Sequence, residues 1–113
     1  NNLAVIYYEQ GDIQKAKENL RQTIILNPLD AEAYKILSKI LAKEEKYDEA
    51  ISIMKDAIAN CESSGDLYYI TAEIYKNMDN IPDYKLYLNE AIKHNQTVSI
   101  PIQTVKKELN KLK

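Results

Sequence analysis

Three lysines, Lys35, Lys39 and Lys43, recur every four residues, a spacing that sets side chains along one face of a helix. Such a stripe offers point charges on flexible stems to the acidic side chains or the C-terminal carboxylate of a peptide; the plain alternative is a solvated face. Glu44-Glu45 and Asp48-Glu49 gather four carboxylates, the raw material of acid–base chemistry. They fall at a helix–helix turn, where charges near helix ends are ordinary. His94 has no cysteine or aspartate at metal-ligand spacing and reads as a solvated histidine at a helix end. Cys61 is the lone cysteine; it cannot close an internal disulfide, nor build a zinc site with a single histidine. It follows Asn60 in a turn with no histidine nearby, so it reads as a passive thiol and not a nucleophile. There is no glycine-rich phosphate loop. These residues lead to the expectation of no catalysis, no cofactor and no metal, and leave binding as the chemistry to be positioned.

The elements that would position it are helical. The chain has 113 residues, 45% hydrophobic and 28% charged, with only two glycines and three prolines. Sandwiches and hairpins need more of both, so the composition points to an all-α domain. Fifteen basic side chains face seventeen acidic ones, for a net charge of −2, which gives no footprint for nucleic acid. The balance is uneven: residues 85–113 hold six lysines against Glu90 and Glu108. That basic stretch could meet an acidic partner or an anionic surface, or be a solvated helix. No apolar run approaches the ~20 residues of a bilayer span, so no membrane insertion is expected. The compartment stays open, with the cytoplasm slightly favoured. Asn95-Gln96-Thr97 is a glycosylation sequon of a kind common by chance.

Sliding the chain by 34 residues aligns columns of like residues without a gap. Tyr34 falls on Tyr68. Leu3, Leu37 and Thr71 share a column; so do the small residues Ala4, Ser38 and Ala72, and the bulky residues Tyr7, Leu41 and Tyr75. Ala16 falls on Ala50, Leu20 on Met54 and Leu88, Thr23 on Ala57 and Ala91, Ile24 on Ile58 and Ile92. The period resolves into helix pairs. Gly11-Asp12 breaks the first helix, and Asp12 caps a second that carries Ile13, Ala16, Leu20, Thr23 and Ile24 on one face. Asn27-Pro28 stops it. Asp30 caps a helix from Ala31 to about Lys43, and its partner runs from about Tyr47 to Asn60. After a turn at Ser63-Ser64-Gly65-Asp66, the third pair runs about Asp66–Asn77 and Ile81–Lys93, the latter started by Asp79-Asn80 with Pro82 in its first turn. The small column lets the helices of a pair approach closely. One pair cannot bury both of its faces, so pairs must stack.

This pattern resembles the tetratricopeptide repeat family over about residues 1–98. The first copy reads Leu3-Ala4, Tyr7, Ala16, Leu20, Thr23, Pro28. The second reads Tyr34, Leu37-Ser38, Leu41, Ala50, Met54, Ala57, and the third Tyr68, Thr71-Ala72, Tyr75, Tyr84, Leu88, Ala91. Glu62 and Gln96 stand where the family has proline. Tyr84 replaces a small residue, with Thr71 compensating part of the volume, so some splaying of the third pair is expected. The fold expectation is a right-handed superhelix of three antiparallel pairs (about 1–30, 31–64 and 65–98) plus a capping helix over about 99–113, together one domain. In that last helix Ile102, Val105 and Leu109 continue apolar columns while Lys106 enters the small column, which closes the array. At the other end the first copy lacks four residues of its leading helix, so the chain is expected to be the C-terminal part of a longer one. Val5 stands where Lys39 and Glu73 stand; an apolar residue there suggests cover by an upstream segment or a partner, or is a single stray exposed valine.

The resemblance implies a protein-binding scaffold whose leading helices line a concave groove for an extended peptide or helix. Carried onto this chain, the groove candidates are Val5, Tyr8 and Glu9, then Glu32, Lys35, Lys39 and Lys43, then Tyr69, Glu73, Lys76 and Asn77, with Gln103 and Lys107 from the cap. Tyr8 and Tyr69 would flank the lysine stripe, a mixture suited to an acidic and apolar protein or peptide. One subfamily clamps chaperone C-termini with Lys and Asn, then Asn, then Lys and Arg. The matching places here hold Asn1 and Val5, Lys39, Asp66 and Ile70; a register shifted by one copy also fails, which argues against chaperone-tail binding. The alternative function is a structural part that packs on upstream repeats or on itself as a homo-oligomer.

Overall fold

In a computed structural model of the chain, the residues described are 2–61, 65–94, 107, 110 and 111. Among them lie six α-helices and no strand: α1 (Asn2–Glu9), α2 (Ile13–Leu26), α3 (Ala31–Lys43), α4 (Tyr47–Asn60), α5 (Gly65–Asn77) and α6 (Ile81–Lys93). The chain divides into two compact units, residues 1–61 with α1–α4 and residues 62–113 with α5 and α6. The helix stops and starts follow the capping residues. The backbone N–H of Lys15 donates to Asp12 Oδ1 at 3.2 Å, that of Ala33 to Asp30 Oδ1 at 3.3 Å, and that of Asp83 to Asn80 Oδ1 at 3.3 Å. Each bond satisfies a donor that the first helical turn leaves without a partner. Gly65, expected in a turn, instead opens α5.

The turn within each pair repeats a conformation as well as a length. Gly11, Glu45 and Asp79 share one column, and all three sit in the left-handed region, at φ 83°, 61° and 61°. Glycine takes that conformation freely, whereas Glu45 and Asp79 adopt it at a cost.

In the first unit α1 packs on α2, α2 on α3 and α3 on α4. Ala4, Ala16, Ser38 and Ala50 are fully buried, which is the close helix approach that the small columns anticipate. Leu20, Leu37, Leu41, Met54 and Ala57 fill the remaining core. Tyr34 anchors α3 at both sides: its hydroxyl donates to the Pro28 carbonyl at 2.9 Å and accepts from Asn60 Nδ2 at 3.2 Å. Lys17, whose place in the sequence gave no hint of burial, is nearly closed off from solvent and donates to Glu44 Oε1 at 2.8 Å. That hydrogen bond, outweighing partial desolvation, holds the Glu44 carboxyl below its ordinary range.

In the second unit α5 and α6 share the most extensive helix–helix contact among the described residues. Tyr84 and Thr71, the pair behind the expected splaying, are both buried, and an aromatic cluster joins the two helices. Tyr87 lies 5.4 Å from Tyr75 and 6.2 Å from Tyr68, centroid to centroid. His94, expected in solvent, stacks on Tyr68 at 4.9 Å with Glu90 3.9 Å away. The expected capping helix over 99–113 and the sequon at Asn95 lie outside the described residues, apart from Lys107, Asn110 and Lys111. Of these, the Lys111 N–H donates to the Lys107 carbonyl at 3.3 Å, one helical turn back.

Candidate binding cleft between the first and third helices

The face of α3 turned toward α1 carries Ile36, Lys39, Ile40 and Lys43, spaced three or four residues apart as one side of a helix must be. Opposite them α1 offers Val5 and Tyr8. Together these six residues line a cleft of about 220 Å³. Its walls are the aliphatic groups of Val5, Ile36 and Ile40, the Tyr8 ring and the stems of the two lysines. Both lysines are exposed, in keeping with the way lysine covers apolar surface with its stem while its charge stays in water.

The two lysines differ. The Lys43 ammonium donates to Tyr8 Oη at 3.0 Å and lies 5.5 Å from the ring centroid. A cation so close to the hydroxyl and so far from the centroid sits beyond the ring's edge, so the contact is a hydrogen bond and not a cation–π pair. It fixes the Tyr8 ring as one wall. Lys39 is exposed, and no carboxylate pairs with it among the described residues. Its ammonium is the charge available to an incoming carboxylate.

The structure separates residues that spacing alone places together. A step of four residues overshoots a helical turn by about 40°, so Lys35, Lys39 and Lys43 wind around α3. Lys39 and Lys43 reach the cleft; Lys35 is largely covered and bridges to Glu32 at 3.2 Å. Tyr69 is only 6% exposed, which removes it as a stacking platform. Glu73, Lys76 and Asn77 are exposed on α5 in the second unit, where Lys76 lies 5.7 Å from the Tyr84 ring centroid. Glu9 and Glu32 are exposed in the first unit, and Lys107 is exposed too; Gln103 lies outside the described residues. Ile36 and Ile40 were missed as cleft residues. Their signal was present in the i, i+4 spacing beside Val5, 39% exposed at the cleft wall, but an apolar pair on a helix reads first as core.

Elsewhere among the described residues no group of His, Cys, Asp and Glu could hold a metal ion, and no helix is long and apolar enough to cross a membrane. Cys61 is half-buried with its thiol 3.8 Å from the Pro28 carbonyl; burial, assisted by Asp30, pushes the thiol pKa up.

Comparison with known proteins agrees with the repeat. A tetratricopeptide repeat family model matches residues 1–65. The PsbB mRNA maturation factor Mbb1, a chloroplastic protein of Chlamydomonas reinhardtii, is 40% identical over 53 residues, covering 46% of this chain and 8% of that protein. The chain thus spans a small fraction of that relative. Two solved structures share the fold. PcrH, in complex with the chaperone binding region of PopD, superposes with a TM-score of 0.77 at 13% identity, over 96% of this chain and 84% of PcrH. MamA gives 0.71 at 18% identity, over 95% of this chain and 64% of its own. With the period, the buried small columns and the matched family model in agreement, the chain belongs to the tetratricopeptide repeat family, a class of protein-interaction scaffolds.

Proposed function

We propose that the chain is a binding module whose α1–α3 cleft receives a segment of a partner protein, one that presents an aliphatic or aromatic side chain close to a carboxylate. The observation that carries this reading is the cleft itself: apolar walls from Val5, Ile36 and Ile40, lined also by the exposed Lys39, with which no carboxylate pairs among the described residues. The magnitudes assign the two parts different roles. Seating an aliphatic side chain out of water is worth about 1.5–3 kcal/mol, whereas an exposed lysine–carboxylate contact is worth about 0.2–1 kcal/mol. The apolar anchor supplies affinity, and the charge selects among anchors. PcrH, similar in fold, is a protein that holds a segment of another protein, which supports the same mode here. The name of the algal relative ties that protein to an mRNA. The net charge of −2 in this chain favours a protein partner over RNA.

The test is binding of the natural partner to the wild-type chain and to Lys39→Glu. The variant should bind more weakly at low salt with its helical circular dichroism intact, and wild-type binding should weaken as salt rises. Undiminished binding by Lys39→Glu would return the lysines to the status of a solvated face. A second reading, assembly on other repeats, is favoured by a separate observation: Leu3 and Ile6 are each 48% exposed, away from the cleft lining.

A further inference from the structure

The three most exposed large apolar side chains among the described residues stand together at the turn between α2 and α3: Leu26 is 82% exposed, and Ile25 and Leu29 are each 69% exposed. The repeat does not require them there. Their columns hold Ala59, Asn60 and Ser63 in the second copy and Lys93, His94 and Thr97 in the third. The turn itself is well tied. The Asn27 N–H donates to the Thr23 carbonyl at 2.8 Å, the Leu29 N–H to Asn27 Oδ1 at 3.3 Å and the Asp30 N–H to the Asn27 carbonyl at 3.1 Å. The Tyr34 hydroxyl donates to the Pro28 carbonyl at 2.9 Å. The backbone is thus fixed from within while three aliphatic side chains face water, an exposure that burial against another molecule would relieve.

An acid accompanies them. Glu32, in the first turn of α3 and three residues after Leu29, is exposed, and its carboxylate pairs with Lys35 at 3.2 Å. A carboxylate accepts several hydrogen bonds, so that pairing leaves it able to take a second cation. An aliphatic side chain close to an exposed carboxylate is the combination suited to the α1–α3 cleft, with its walls of Val5, Ile36 and Ile40 and the exposed Lys39. A chain cannot fill its own cleft with this turn, because α3 carries both features. The turn precedes α3, and the cleft begins at Ile36, about 10 Å further along the helix axis than Leu29. Two copies of the chain can bring turn and cleft together.

We propose that the α2–α3 turn of one copy seats Leu29 in the α1–α3 cleft of a second copy, with Glu32 of the first against Lys39 of the second. Self-association then closes the cleft, and a partner segment must compete with the chain's own turn to enter it. The turn is fixed before it docks, so little freedom is lost on insertion. The inference rests on the reading of the cleft as a site for an apolar residue beside an acid, and it adds a second copy of the chain as the regulator of that site.

The test is sedimentation equilibrium of the 113-residue chain at low salt over rising concentration. The wild type should rise above the monomer mass as concentration increases, and added salt should reduce the rise. Leu29→Asp and Val5→Asp, one on each side of the contact, should both remain monomeric with their helical circular dichroism intact. Lys39→Glu should weaken association by exchanging an attraction for a repulsion. Adding Glu32→Lys to that variant should restore it, lowering the dissociation constant roughly fivefold. A wild type that stays monomeric throughout overturns the proposal. Association that survives Val5→Asp or Lys39→Glu also overturns it, since Leu29 would then meet some other surface, and so does a charge exchange that restores nothing. The function proposed for the cleft is read separately, from peptides selected out of a random displayed library and titrated against Leu29→Asp, whose cleft is unaltered. Peptides that bind a chain with no tendency to associate would leave that function standing without this inference; association that obeys the charge exchange, with no peptide selected, would do the reverse.

Discussion

Helices α1 and α3 occupy the same place in successive repeats, yet the same columns meet opposite fates in them. Leu37 and Ile40 are 0% and 4% exposed, whereas Leu3 and Ile6 are each 48% exposed. Both pairs of residues are aliphatic, so the difference lies in what covers them and not in their own chemistry. On α3 the column contributes to stability, because α2 lies against that helix. On α1 the column is left exposed, while Val5 and Tyr8 on the same helix form a wall of the cleft. A repeat therefore encodes a capacity for burial at each position, and the neighbouring helix decides whether that capacity is used.

The largest expected effect follows from that contrast. Leu37→Ala removes a fully buried side chain and should destabilise by about 2–5 kcal/mol. Leu3→Ala in the same column should stay within about 0.5 kcal/mol, as for surface positions generally. Denaturant unfolding of the two variants measures the gap directly, and comparable losses would erase the distinction between the helices. A smaller effect is expected at Ala50, fully buried where α3 and α4 meet. Ala50→Leu overfills that contact and should cost about 1–3 kcal/mol. An unchanged thermal melt would remove close packing as the reason for the small column.

The smallest effects sharpen the comparison of the turns within the pairs. Glu45 sits at φ 61°, so Glu45→Gly should stabilise by about 0.5–1 kcal/mol. Gly11 sits at φ 83°, and a Cβ there would meet nothing within 4 Å. Gly11→Ala should nevertheless destabilise by about 1 kcal/mol, because backbone conformation and not space is the constraint. Opposite signs in one column, read by the same unfolding experiment, would confirm that the turn conformation is part of the repeat; equal signs would deny it.

Much of this architecture was legible in the residues. The 34-residue period, the caps at Asp12, Asp30 and Asn80 and the small columns at Ala4, Ser38 and Ala50 all carry short-range or periodic signals that survive folding unchanged. The site was less legible, because it depends on direction around a helix. The lysine stripe reads as straight, but the angular drift of an i, i+4, i+8 series turns Lys35 aside to Glu32 while Lys39 and Lys43 reach the cleft. Tyr69 reads as a groove residue although it is buried, since a tyrosine on an amphipathic helix serves either side. Lys17 gives no sign of burial in the sequence because a lysine is rarely buried unless paired, and its partner Glu44 is 27 residues away. His94 gave no sign of stacking on Tyr68, a contact that depends on where α6 ends.

The most direct test of the central claim, that α1 and α3 form a cleft for an apolar residue beside an acid, is a selection of random displayed peptides on the wild-type chain. The selected peptides are then titrated against Val5→Asp and Lys39→Glu. The account predicts peptides in which an aliphatic or aromatic residue lies near an aspartate or glutamate. Val5→Asp should weaken them by roughly tenfold or more, about 1.4 kcal/mol, because it places a charge in the apolar wall. Lys39→Glu should weaken them less, since an exposed ion pair is worth less than a buried side chain. Peptides without an acidic residue, or affinities that neither substitution changes, would contradict the claim.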